Sequence, residues 1–111
     1  ALVLLNDPQV VEANRVMAYR AIAQAGAAPR ERIAYLFRLA TSRQPVESEL
    51  LPLLDYFEVE LARFRGNPKA AEQFLAMGQY PQKKLASLPE MAAYALLANA
   101  IFNLDEAITK G

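Results

Sequence analysis

Five carboxylates fall close together in this chain, at Glu47, Glu49, Asp55, Glu58 and Glu60. Carboxylates so grouped can do two kinds of chemistry. They can ligate calcium, which needs oxygen ligands at alternating positions around a glycine turn. They can also act as an acid–base pair on a glycosidic bond, which needs a cleft between the two. Neither pattern is met. The five lie on a stretch of helical spacing with no glycine, and Asp55 and Glu58 alternate with apolar anchors, so a solvated helix face is expected. The wider catalytic inventory is short, because the chain has no His, Cys or Trp. Within this chain that removes zinc sites, Cys nucleophiles, Ser-His-Asp triads and His-dependent di-iron sites. No catalytic, cofactor-binding or metal-ligating residue is assigned, no cofactor is expected, and the chain is not expected to be an enzyme.

Aromatic residues beside arginines are the next candidates. Tyr35 and Phe37 lie between Arg32 and Arg38, and Phe64 between Arg63 and Arg65. Such residues can stack on single-stranded bases. At helical spacing they serve more simply as core residues whose flanking arginines lay their stems along apolar surface. Lys and Arg total 12 against 12 for Asp and Glu, so the net charge is zero. Phosphate neutralisation has no basic surface to work from, and nucleic acid is not an expected partner. The charge is uneven along the chain: residues 44–62 carry −5 between a segment of +3 (1–43) and one of +4 (63–84). An acidic helix seated among basic neighbours is the expectation; the sharper alternative is an acidic patch for a cationic partner.

The elements that must hold these residues are helices. The chain has 21 Ala and 16 Leu but only 12 Val, Ile and Thr together. Ala and Leu lose least on entering a helix, whereas β-branched residues are stiff there. Asn6-Asp7-Pro8 opens a first helix, with a capping carboxylate and a proline at the first helical position. It runs to about Ala25 and stops at Gly26. Its inward stripe reads Val10, Val11, Asn14, Met17, Ala18, Ala21, Ile22 and Ala25, with Glu12, Arg15, Tyr19 and Arg20 opposite. Pro29 opens a second helix to about Ala40, with Ile33, Leu36, Phe37 and Ala40 inward. A linker over 41–45 follows.

The third helix repeats Leu50, Leu54, Phe57, Leu61 and Phe64 in steps of four and three. Its start falls near Val46 or at Ser48, and Pro52 inside it would cost about 3 kcal/mol in a helix interior. Gly66 ends it. Asn67-Pro68 starts a short fourth helix ending near residue 77. Ser87 and Glu90 have capping-box spacing and launch the last helix to about Lys110. The fold class expected is all-α, a compact bundle of about five helices with short loops. At 111 residues it forms a single helical domain over 1–111, read as the C-terminal fragment of a larger protein. The longest uncharged stretch, residues 91–104, is too short and too polar to span a bilayer, so no transmembrane segment is expected.

Polar residues on apolar stripes remain. Asn14 faces inward on the first helix. On the last, Tyr94, Leu97, Ile101, Leu104 and Ile108 form one stripe, and Met91, Ala95, Ala98 and Phe102 its neighbour. Asp105 falls between the two, whereas Asn99, Asn103, Glu106 and Lys110 share the side expected to be less buried. An inward carboxylate must find donors or lose its charge. Arg43 in the linker is free to aim inward and offers two-pronged geometry. Asp105 and Arg43 are therefore the expected buried structural pair, with helix N-terminal amides as the alternative donors.

Three segments together carry a resemblance. They are residues 1–8, Ala-Leu-Val-Leu-Leu-Asn-Asp-Pro; Arg32 to Ala40 leading to Arg43-Gln-Pro45 and Glu49-Leu50; and Asn103-Leu-Asp-Glu106. In this order they resemble the C-terminal helical domain of unknown function of large planctomycete-type surface proteins that also carry a cytochrome-c-like domain. Val46 departs from that pattern, which has a helix-capping Thr there. The resemblance implies upstream domains of a parent protein as partners and an extracytoplasmic location, periplasmic or at the cell surface. It implies no catalytic residue. The expected function is a structural or protein-interaction helical module with no chemistry of its own. The alternative is one wall of a carbohydrate-type or active site shared with upstream domains.

Overall fold

A computed structural model of the protein describes residues 8–76 and 86–110, with side chains over 12–76 and 86–103. Five α-helices make up the described residues: α1 (Pro8–Gln24), α2 (Pro29–Thr41), α3 (Glu47–Gly66), α4 (Pro68–Ala76) and α5 (Leu88–Lys110). Local chemistry sets their ends. Gly26 takes φ 92° after α1, a left-handed conformation that an L side chain adopts only with strain. Asn67 Oδ1 accepts the Ala70 N–H at 3.2 Å to cap α4. At α5 the capping box is closed both ways: Ser87 Oγ accepts the Glu90 N–H at 3.3 Å, and the Glu90 carboxylate accepts from the Ser87 N–H and hydroxyl.

The third helix begins one residue after Val46, which is its N-cap. Only half of a capping box is possible there, because a valine side chain accepts nothing. Glu49 Oε1 accepts the Val46 N–H at 3.0 Å. Pro52 consequently lies inside the helix, in its second turn. Its ring faces solvent, and the Ser48 carbonyl that it leaves without an intrahelical donor belongs to an exposed residue open to water. We expect Pro52→Ala to stabilise the domain by about 1–2 kcal/mol, the helix-propensity gain offset by a freer unfolded chain. Thermal unfolding of the two proteins measures it.

Helix α5 is the hub: it packs against α1, α2, α3 and α4 alike. Residues 91–99 are all buried. Around them gather Ala18, Ala21 and Ile22 of α1, Ile33, Leu36 and Phe37 of α2, Leu50, Leu53, Phe57, Leu61 and Phe64 of α3, and Ala71 and Leu75 of α4. Small residues on α1 and α5 permit close approach of the pair, and Phe57 stacks on Tyr94 with ring centroids 4.4 Å apart.

Two expectations about helix faces are corrected here. Asn99 does not lie on a less buried side, because α5 is enclosed all round at that level; it is 6% exposed, while Asn103 is half-buried. Arg15 and Tyr19 do not lie outward on α1, because α1 is packed on more than one side, against α5, α2 and α4. Arg15 is 1% exposed and Tyr19 is also buried.

Candidate functional site

Buried polar chemistry is concentrated on α1. Asn14 Nδ2 donates to Asn99 Oδ1 at 2.9 Å, joining α1 to α5 inside the core. One residue on, the Arg15 guanidinium donates to the Leu75 carbonyl in the last turn of α4. Helix ends leave carbonyls without intrahelical partners, so this arginine serves α4 as a cap supplied from another helix. Third in this interior is Tyr94, fully buried against Phe57, with the Arg32 guanidinium 5.5 Å from its ring centroid. Burial pushes the Tyr94 phenol up, and the nearby Arg32 opposes the shift. The two amides and the Arg15 bond to Leu75 join helix to helix, whereas the buried hydroxyls of Tyr19 and Tyr94 have no hydrogen-bond partner among the described residues.

The expected pair is resolved on one side only. Arg43 is exposed, bonding both oxygens of Glu49 at 2.8 and 2.7 Å, with its guanidinium carbon 5.1 Å from the Phe37 ring centroid. The side chain of Asp105 lies outside the described residues, and so does the pair. Asn14 is 7% exposed. What Arg43 forms with Glu49 is a clamp between the 42–46 linker and the first turn of α3, reinforced by the Val46 N–H on the same carboxylate.

That clamp has a titration signature. The Arg43 guanidinium, helped by the Val46 N–H, holds the Glu49 carboxyl down at about 2 rather than 4.5. A carboxyl depressed in the folded state adds stability above its ordinary value, and loses it as pH falls through the folded one. We expect the Glu49 carboxyl carbon to titrate near pH 2 by NMR, and Arg43→Ala to return its midpoint toward 4.5. A midpoint unchanged by Arg43→Ala would show that the arginine does not hold this carboxylate.

Two surface features remain. An open cleft of about 530 Å³ runs beside α2, lined by polar Gln24, Glu31, Tyr35, Arg38 and Gln44 with the Gly26 backbone. Tyr35 donates its hydroxyl to Gln24 Oε1 at 2.9 Å and carries Arg38 against its ring. The second feature is α3. All four large hydrophobic residues exposed among the described residues belong to this helix or its cap: Val46, Leu51, Tyr56 and Val59, the last 64% exposed. Composition and periodicity had marked α3 only by its buried stripe and its acids. The outward apolar residues were legible as Leu51 and Val59, eight apart and off that stripe.

Among the described residues no three carboxylates come together as a metal site requires, and no helix is long and apolar enough to cross a membrane. Residues 1–57 match the family model described as PSD1: Protein of unknown function (DUF1553). No curated protein and no solved structure matches the chain.

Proposed function

The chain belongs to the PSD1 family of proteins of unknown function, and from that premise we propose that it is a structural or interaction module of a larger extracytoplasmic protein, without chemistry of its own. One observation carries the reading: the exposed large hydrophobics are gathered on α3 and its cap. Scattered apolar residues are ordinary on a surface, but several gathered on one helix mark a face that another surface covers. The planctomycete-type parentage, the cytochrome-c-like neighbour and the location outside the cytoplasm are part of this proposal and rest on the resemblance. A photo-crosslinker placed at Val59 in the full-length protein tests it. Cross-links to residues outside this chain support a module seated on its neighbours; their absence overturns the reading.

The cleft beside α2 favours a second reading, one wall of a carbohydrate-type site shared with another domain. Glu31, Arg38, Gln24 and Gln44 supply both donors and acceptors around the Tyr35 ring, with no net charge between the acid and the base. That mixture suits a neutral, hydroxyl-rich ligand. Amide shifts confined to 24–44 on titration with neutral oligosaccharides would move the balance to this reading.

A further inference from the structure

We propose that the outer face of α3 docks an amphipathic helix that presents an aliphatic ridge together with a lysine or arginine set against Asp55. The inference rests on the module reading and names the chemistry of the partner.

The geometry comes from the spacing. At 100° per residue, Leu51, Asp55, Val59 and Ala62 lie along one side of α3, with Pro52 and Tyr56 beside them. All six are exposed. This face runs for about 17 Å of helix axis, three turns, so a partner helix of about 12 residues covers it. It stands opposite the stripe of Leu50, Leu53, Phe57, Leu61 and Phe64 that enters the core, so docking there disturbs nothing inside.

Charge decides the occupant. Three carboxylates of α3 already have arginines: Glu47 bonds Arg30, Glu49 bonds Arg43 and Glu60 bonds Arg63. Asp55 and Glu58 have no ion-pair partner among the described residues. The helical neighbours of Asp55 three and four residues away are Leu51, Pro52, Glu58 and Val59, and none is basic. An unpaired acid in the middle of an apolar face loses water when the face is covered, and a cation from the partner replaces that loss most strongly. A second copy fails this requirement. Two α3 helices pairing antiparallel about their centres set Leu51 against Val59, but also bring Asp55 against Asp55. Like charges brought together in this way suppress the wrong partner. A face this short supports only weak, transient binding by a free partner, which suits a helix held nearby on the same polypeptide.

Two stapled peptides of about 14 residues provide the test. One has a leucine ridge flanked by lysines; in the other every lysine is a glutamate. The whole chain is titrated with each and followed by amide shifts and calorimetry. We expect the lysine peptide to shift residues 51–62, to bind at least about tenfold more tightly than the glutamate peptide, and to weaken as salt rises. Asp55→Lys should reverse the preference, and Val59→Asp should weaken both peptides without unfolding an exposed site. Equal binding of the two peptides, shifts elsewhere, or no binding overturns the proposal. These outcomes stand apart from the Val59 cross-link. Cross-links in the full-length protein with no charge preference leave the module reading intact and reject the cationic partner.

Discussion

Arg15→Ala is expected to destabilise the domain by about 3–5 kcal/mol. Two losses add. The charge-assisted hydrogen bond to the Leu75 carbonyl is worth about 1.5–3 kcal/mol, and its removal strands a buried acceptor at the end of α4. The side chain is 1% exposed, so deleting its stem also opens a cavity in a packed interior. Arg15→Met separates the two, because methionine refills the volume and restores no donor. Arg15→Lys should recover only part of the loss, since a single ammonium lacks the fork of donors. Urea unfolding of the three variants measures the effect, and hydrogen exchange locates it, with the α4 amides losing protection before those of α5. A loss below about 1 kcal/mol for Arg15→Ala would mean that the carbonyl finds water instead.

Asn99→Ala is expected to cost about 2–3 kcal/mol, and Asn14→Ala about as much, because each leaves the other amide buried without its partner. The informative protein is the double variant. Asn14→Leu with Asn99→Leu should cost much less than the two single leucine changes added together, since removing both polar groups leaves no orphan. Additivity in that cycle would show that the two amides do not interact. The pair matters for more than stability. In the apolar α1–α5 contact, one polar pair favours a single axial register, as a lone asparagine does in a coiled coil. The double leucine variant is therefore expected to remain folded but to show broadened NMR lines along α1.

Where helices start and stop was legible because the signals are local. Pro29, Asn67 with Pro68, and Ser87 with Glu90 each act within one turn, and the ends lie where those residues put them. The inward face of α2 was equally plain, since that helix is covered on one side, and Ile33, Leu36 and Phe37 are its buried residues. The inward stripes of α1 and α5 were legible, with Asn14, Ala18, Ala21 and Ile22 buried on α1 and Met91, Tyr94, Leu97 and Ile101 on α5; the opposite sides were not, for a physical reason. Periodicity reports the difference between a wet side and a dry one, and α5 has no wet side over residues 91–99. Polarity alone points Asn99 outward, although a buried amide needs only a second amide opposite. The charge of Arg15 likewise argues for water, whereas its long stem and Tyr19 and Ile22 at steps of four and three mark a second buried edge. The surface candidates were partly visible. The acidity of 44–62 was evident from the sequence, but which acids already have arginines depends on where Arg30 and Arg43 lie in three dimensions.

The placement of α5 has a consequence for how the chain is made. It is the last of the five helices in chain order and the one that all the others touch. While a ribosome has released only α1 to α4, the apolar sides that will meet residues 91–99 have nothing to cover them, and the bond from Asn14 waits for a residue 85 positions later. Folding during synthesis is thus delayed until nearly the whole segment has emerged, and the nascent helices offer exposed apolar stripes to chaperones in the interval. Once α5 is free, its docking forms its contacts with all four earlier helices together. A stalled chain ending before Ser87 should be digested rapidly by protease, and one extended past residue 103 should resist.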